Sequence, residues 1–554
     1  NFEDGSAVFS PAEVSGGDEV VNSEGDLVSL KPGTSIFPSG CMSPDCILIW
    51  DGVSELQVNQ LTVTYELLPE LRWSDGHPLT AADSLYAFEV ASDPAALISK
   101  RAIDLTHTYT VLDAQTVQWL AKPGLVTGDF EKYFWAPFPE QAWGSYSADE
   151  LLTAEEVNRS PLGWGAFVVD EWQSGEFLRM IKNPNYFRAA EGLPTADVIT
   201  YKFLQDTEPD GFASQVDSEC DIVSPTALDL QKTIALDEDT PSSSFNWQDL
   251  QPSALEMLAF GIKPYTYDDY YYPYGVDRPD IFGDIRTRQA VAHCIDRRSI
   301  QQKLLGGVVE VPDSLFEAAH QLLEGVNLSA YAYDPSLGIS LLEQVGWRDV
   351  DFNPDTPITA SNVYNVPPGT SFEVGLLISE SPLRAEIAAE IAAGLSNCGI
   401  KVNIEQLPAA ELYQPGPDGP VFGRRFDLAL LSWQTDSEFN CHMFMTDEIP
   451  SDANYWLGEK TGGANYYGYS NTDYDETCTL RSQAGLDAAA SDQAGRDALI
   501  ILNNELPFIP VYLHPESALI RTDVCGFSEE FGQSSRLWMD IERLTVGSGC
   551  KDDD

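Results

Sequence analysis

The sequence predicts an α/β protein made of more than one packing unit, and three observations carry that prediction. Between 371 and 433 a strand, a helix and two further strands follow one another. A second helical stretch, Arg286–Leu305, stops at Gly306-Gly307. The length of 554 residues exceeds the roughly 250–300 at which a single core stops growing. With 43% hydrophobic and 11% aromatic residues, the chain has the side chains to fill such cores.

Residues 1–60 are heavy in Gly, Ser, Pro and Asp and read as loops. Leu61-Thr-Val-Thr-Tyr-Glu-Leu67 then alternates as a strand does. After a turn at Ser74-Asp75-Gly76, Thr80 caps a helix, and Asp83 three residues on makes an acidic variant of the capping box. In the later unit Phe372, Val374, Leu376 and Ile378 alternate. Ser381-Pro382 opens a helix whose Leu383, Ile387, Ile391 and Leu395 fall four apart, on one face. Gly399 ends it. Ile400, Val402 and Ile404 alternate again, and Phe426–Trp433 is a further apolar strand. The most apolar stretch, Ala498–Leu513, is broken by Asn503, Asn504, Glu505 and Pro507, so no bilayer span is predicted. Asn1-Phe-Glu-Asp4 has neither a basic nor an apolar segment, so the chain reads as mature or cytoplasmic rather than as carrying a signal peptide.

Charge and cysteines narrow the function. There are 87 acidic and 31 basic residues, a net charge of −56. A field of that sign repels phosphate backbones, which excludes nucleic acid as a partner. It reads as a solvated acidic surface, with calcium binding or cation-bridged assembly as the alternatives. The nine cysteines include no Cys-x-x-Cys and no zinc spacing. Cys41 and Cys46 bracket a Pro-containing loop, as a short disulfide loop would. Cys294 and Cys398 read as small buried hydrophobes. Disulfides imply an oxidising, extracytoplasmic setting, and an odd count leaves at least one thiol unpaired.

Enzyme signatures are missing: there is no Gly-x-Ser-x-Gly, His-Glu-x-x-His, Walker A or Gly-x-Gly-x-x-Gly run. The six histidines show no spacing with a nucleophile or metal partner. Asp349, Asp351, Asn353 and Asp355 place side-chain oxygens at alternate positions, as a calcium loop begins. Pro354 and Ala360 occupy the positions where an EF-hand has Gly and its bidentate Glu, so a solvated Asx-rich turn is the other reading. Tyr265–Tyr274 is too tyrosine-dense and Pro-broken for a core element. It suits a ligand cleft, ordinary packing or a protein contact, and Asn454-Tyr-Trp456 and Asn465-Tyr466-Tyr467 read the same way.

Five segments, in order, resemble the oligopeptide/dipeptide class of ABC-importer solute-binding proteins. They are Leu71-Arg-Trp-Ser-Asp-Gly-His-Pro-Leu-Thr-Ala-Ala-Asp83; Ser160-Pro-Leu-Gly-Trp-Gly-Ala-Phe167 with Lys182-Asn-Pro-Asn-Tyr186; Gly283–Arg297; Tyr333-Asp-Pro335 through Gly346-Trp347; and Glu505-Leu-Pro507 through Tyr512. Gly165-Ala-Phe167 replaces the family's Gly-Pro-Tyr. The resemblance implies a two-lobed periplasmic-binding-protein-like fold with a ligand cleft between the lobes. Lobe I would take 1–60, 159–259 and 506–554, with 61–158 as an inserted subdomain; lobe II would take 260–505. Asp436, three residues past Trp433, would hold a ligand ammonium, Trp433 would line the cleft, and His514 would approach it. Trp164 and Tyr466 complete the candidate ligand contacts.

The implied protein is a non-catalytic receptor in the extracellular space or cell envelope, lipid-anchored or secreted, delivering its ligand to an ABC permease. Short peptides are the first ligand expectation and oligosaccharides the second. No cofactor is expected beyond a structural calcium ion at 349–355, and a monomer is expected. A self-assembling surface or matrix protein on the same fold is the main rival, and a hydrolase the third reading.

Overall fold

The computed structural model describes residues 7–96, 98, 100–203, 219–224, 245–250, 254–307, 309–434, 439–458, 462–514, 516–526 and 541–547. The chain divides into two compact units: Asn1–Leu250 with Ser482–Ser491 and Ser517–Asp554, and Gln251–Arg481 with Asp492–Glu516.

In the first unit β1 (Ala7–Val14), β2 (Leu56–Glu66), β3 (Thr106–Val111) and β4 (Thr116–Ala121) form an antiparallel sheet in the order β1-β2-β4-β3. The alternation read at 61–67 is the inward row of β2. Leu61, Val63 and Tyr65 bury themselves with Val117, Trp119 and Ala121 of β4, each large side chain contributing about 1.5–3 kcal/mol. The Trp119 indole N–H donates to Thr106 Oγ1 at 2.9 Å, and its ring stacks on Tyr133 at 4.0 Å. Helix α1 (Ala81–Ser92) starts at the predicted box, where the Thr80 N–H donates to Asp83 Oδ2 at 2.8 Å. β2 runs through the boundary expected at residue 60 and pairs with β1 from Val14↔Leu56 to Ala7↔Val63. Cutting there would strand one side of a hydrogen-bonded ladder, so the segment 61–158 shares its sheet with the start of the chain. A separate three-stranded sheet holds β5 (Phe167–Gln173), β6 (Phe177–Lys182) and β7 (Val198–Lys202).

The second unit contains β8 (Ala254–Phe260), α2 (Ile285–His293), α3 (Arg297–Leu304), α4 (Pro335–Val345), β9 (Glu373–Ser379), α5 (Pro382–Ser396), β10 (Lys401–Leu407), β11 (Leu428–Gln434) and β12 (Phe508–Leu513). Its five-stranded sheet has the order β10-β9-β11-β8-β12. β9 runs parallel to β10 and β11, and β8 antiparallel to β11 and β12. The predicted strand–helix–strand unit is this β9-α5-β10-β11 core. The helical stretch expected at 286–305 consists of two helices, because Asp296 caps a new one by accepting the Ser299 N–H at 2.9 Å. β8 and β12, expected in lobe I, are hydrogen-bonded into this sheet. The boundaries expected at 259/260 and 505/506 therefore shift outward, the first to keep β8 paired with β11 and the second to keep β12 paired with β8.

Cys41 and Cys46 are bonded as the short loop requires. Cys294 and Cys398 are not independent buried thiols: they form a disulfide joining the end of α2 to the turn after α5. Sequence spacing hid this pair, 104 residues apart, because tertiary packing alone brings them together. Cys441–Cys478 is a further disulfide, Cys525 is disulfide-bonded, and Cys220 is the free thiol among the described residues. No helix among the described residues is long and apolar enough to cross a membrane.

Candidate functional site

Open α/β sheets bind ligands beyond the carboxyl ends of their strands, at the point where strand order reverses. From β9 the chain passes through α5 to β10 on one side, then returns to β11 on the other, so the reversal lies between β9 and β11. The carboxyl ends of β9, β10, β11 and β12 share one edge, and antiparallel β8 begins there.

On that edge one carboxylate interrupts an apolar strand. Glu256 lies in Ala-Leu-Glu-Met-Leu-Ala-Phe and is 0% exposed. A lone buried carboxylate costs several kcal/mol, so it must be paired. Ser381 caps α5 by accepting the Arg384 N–H at 3.3 Å, which sets Arg384 in the first turn. The Arg384 guanidinium grips Glu256 with both arms, Nε to Oε1 at 2.7 Å and Nη2 to Oε2 at 2.9 Å, the strong bidentate form. Its Nη1 donates to Ser379 Oγ. His514, just past β12, meets Glu256 Oε2 through Nε2 at 2.9 Å, and the same Nε2 lies 3.2 Å from Ser432 Oγ. Register explains the convergence: Ser432, Glu256 and Tyr512 are direct partners across β11, β8 and β12, so their side chains share a face. Burial alone would raise the Glu256 pKa, but the hydrogen bonds from His514 and Arg384 hold it below the ordinary carboxylate value. Burial works against the Arg384 charge, and the Glu256 pairing overrides it and raises the guanidinium further.

The structure separates the predicted contacts. The His514 side chain is 34% exposed and sits in this cluster. Trp433 pairs with Leu255 in the adjacent row, so it is on the opposite face, partly exposed, with its ring 6.0 Å from Tyr466. Tyr466 is 1% exposed. It packs edge-on to Phe422 and its hydroxyl lies 3.0 Å from that of Tyr467. It therefore backs Trp433 from the core instead of presenting a surface to a ligand. Trp164 is in the first unit, 37% exposed, on the loop held where Asn183 Nδ2 donates to the Gly165 carbonyl at 2.8 Å. Asp436 lies outside the described residues. The sequence reading missed Glu256 and Arg384, although a carboxylate inside an otherwise apolar strand was the available signal.

Two other features, each open to more than one reading in the sequence, have the following geometry. The tyrosine run lies at the amino edge, beyond the end of β8. There Arg425 covers the Tyr265 ring at 4.2 Å, Lys263 approaches Tyr267 at 5.5 Å, and Tyr267 stacks on Tyr271 at 4.3 Å. In the 349–355 segment Asp349, Asp351 and Asn353 accept the N–H groups of Phe352, Asn353 and Asp355 at 2.7, 3.1 and 3.1 Å. Asp351 also accepts the Thr356 hydroxyl. These oxygens cap an Asx-rich turn, and among the described residues no group of three or more His, Cys, Asp or Glu side chains is arranged to hold a metal ion. Nor do Ser432, His514 and Glu256 form a hydrolase relay. A triad needs the nucleophile's hydroxyl on one ring nitrogen and the carboxylate on the other, whereas both groups here meet Nε2.

Known proteins resemble this chain in sequence and in fold. A Brucella ovis protein named as an ABC transporter peptide-binding protein is 24% identical over 350 residues, 63% of this chain and 58% of its own length; the chain thus spans less than two thirds of that relative. The oligopeptide-binding protein AppA of Bacillus subtilis is 22% identical over 428 residues, covering 73% of this chain and 67% of AppA. The structure of AppA with a nonapeptide superposes with a TM-score of 0.65 at 16% identity, over 96% of this chain and 92% of AppA. NikA from Brucella suis, in complex with Fe(III)-EDTA, gives 0.66 at 17% identity over 98% and 94%. Those similarities show a shared α/β fold. Residues 50–449 match the family of bacterial extracellular solute-binding proteins, family 5 Middle, and the chain belongs to that family.

Proposed function

We propose that this protein is a receptor that binds a short peptide at the carboxyl edge of its second-unit sheet and delivers it to an ABC permease. The observation that carries the reading is the preorganised polar cluster at that edge, with Glu256 buried and paired to a partly buried Arg384 while His514 keeps a third of its side chain in solvent. Rigid, satisfied charges behind an open polar tip suit recognition, because the site needs no reorganisation when a ligand arrives. The relatives named for peptide binding favour peptides over oligosaccharides. Asp436, just past β11, is the proposed partner of the ligand ammonium, a charge-assisted pairing. Trp433 is its proposed apolar contact. The protein works as a receptor and not as a catalyst. Disulfides support an extracytoplasmic location, and lipid anchoring or secretion is part of the same reading.

Native mass spectrometry before and after mild denaturation tests this. A peptide released on unfolding supports the receptor reading. A released oligosaccharide changes the ligand class, and a ligand-free large assembly favours the surface-protein alternative. Turnover of peptide or glycoside substrates would instead establish a hydrolase.

A further inference from the structure

We infer that His514 accepts a hydrogen bond from a ligand N–H group through Nδ1, and that Glu256 is the positioning residue that fixes the ring in the form able to do so. The inference rests on the peptide-receptor reading and deepens it.

An ionised carboxylate can only accept, so the 2.9 Å contact between Glu256 Oε2 and His514 Nε2 requires the ring proton to be on Nε2. Glu256 already has the whole Arg384 fork against it. Its charge is balanced without an imidazolium, and the ring needs to supply one proton only. A neutral ring that carries its proton on Nε2 has a lone pair on Nδ1. Among the described residues, the contacts of the ring's nitrogens all fall on Nε2, while a third of the side chain is open to solvent. Tyr512 holds the ring from one side, with centroids 4.7 Å apart, and the His514 N–H is tied to the Ala254 carbonyl at 2.8 Å. The acceptor is therefore fixed in tautomer and in place, at the edge where the chain reverses strand order. An acceptor so placed selects a ligand that offers N–H: a peptide's amino terminus or one of its chain amides.

Two measurements on the full chain test this. In a long-range ¹⁵N–¹H spectrum of the ligand-free protein, with His514 assigned by its loss in H514Q, Nε2 should be protonated and Nδ1 bare. A proton on Nδ1, alone or on both nitrogens, overturns the proposal. Second, peptides selected by the wild type from a synthetic library are compared with their N-acetylated forms. Losing one hydrogen bond in H514A should weaken binding roughly tenfold. Loss confined to the free-amine forms identifies the amino terminus as donor, and equal loss in both identifies a chain amide. Unchanged affinity for both overturns the proposal. E256Q should relax the tautomer preference and reproduce the H514A loss; should it not fold, the wild-type spectrum still decides. A wild type that binds no peptide overturns the receptor reading and the ligand half of this one, while the spectrum judges the role of Glu256 separately.

Discussion

The two edges of the second-unit sheet use the same residue types to opposite ends. At the amino edge arginines hold backbone together with partly exposed carboxylates: Arg278 donates to the Phe426 carbonyl and to Asp427 Oδ1, both at 2.9 Å, and Arg424 to the carbonyls of Lys263 and Pro264 at 3.0 and 3.3 Å and to Asp268. The Trp456 ring faces the Arg424 guanidinium at 5.7 Å, and Tyr270 faces solvent at 98% exposure. At the carboxyl edge Arg384 holds a side chain, Glu256, and that carboxylate in turn orients a histidine with an open tip. A guanidinium bound to carbonyls stitches the chain; one bound to a buried carboxylate sets up a charge-balanced platform. Tyrosine density thus marks the stitched edge, and the sparse polar row marks the edge proposed for the ligand.

The contrast is broken most severely by R384A. It leaves Glu256 buried and unpaired, so it should cost about 3–5 kcal/mol in denaturant unfolding; a loss below 1 kcal/mol would mean the pair is not charge-compensating. Removing the Cys294–Cys398 disulfide with C294A/C398A frees the far end of the helix that carries Arg384. It should cost about 2–4 kcal/mol with peptide affinity unchanged, and altered affinity would show that the edge depends on that tether. At the other edge R424A should cost about 2–3 kcal/mol through its orphaned carbonyls and again leave affinity unchanged. Weakened peptide binding there would erase the distinction between the edges.

Acid offers a gentler probe. The folded Glu256 pKa lies below the ordinary 4.5, so its stabilisation is present above pH 4.5 and is lost as pH falls through the lower folded value. The gap between wild type and R384A should therefore narrow below pH 4.5 in melts at matched ionic strength, and a widening gap would contradict the pairing. Y270S, at the solvent end of the tyrosine run, should move stability by about 0.5 kcal/mol or less. A larger change would give that rim a structural role.

Periodicity made much of the architecture legible. The alternation of Phe372–Ile378, the four-residue spacing from Leu383 to Leu395 and the Thr80–Asp83 box each appear where local pattern placed them. Long-range pairing was not legible: β8 and β12 join the second sheet by a ladder that no local signal encodes. The candidate site was half visible. His514 is in the polar cluster, but Tyr466 is core, Trp433 is on the other face, and Glu256 and Arg384 were hidden because 128 residues separate them.

By itself the sequence determined the α/β class, the family signatures, the net charge of −56, and the strongly periodic strands and helix at 61–67 and 371–433, since these depend on neighbours within a few residues; residues 1–60, read as loops, instead hold β1 and the start of β2. Tertiary structure alone decided that Cys294 bonds Cys398, which sheet each strand enters, and that Glu256, Arg384, Ser432 and His514 meet. Those outcomes depend on register, where a shift of one residue would turn each side chain to the opposite face.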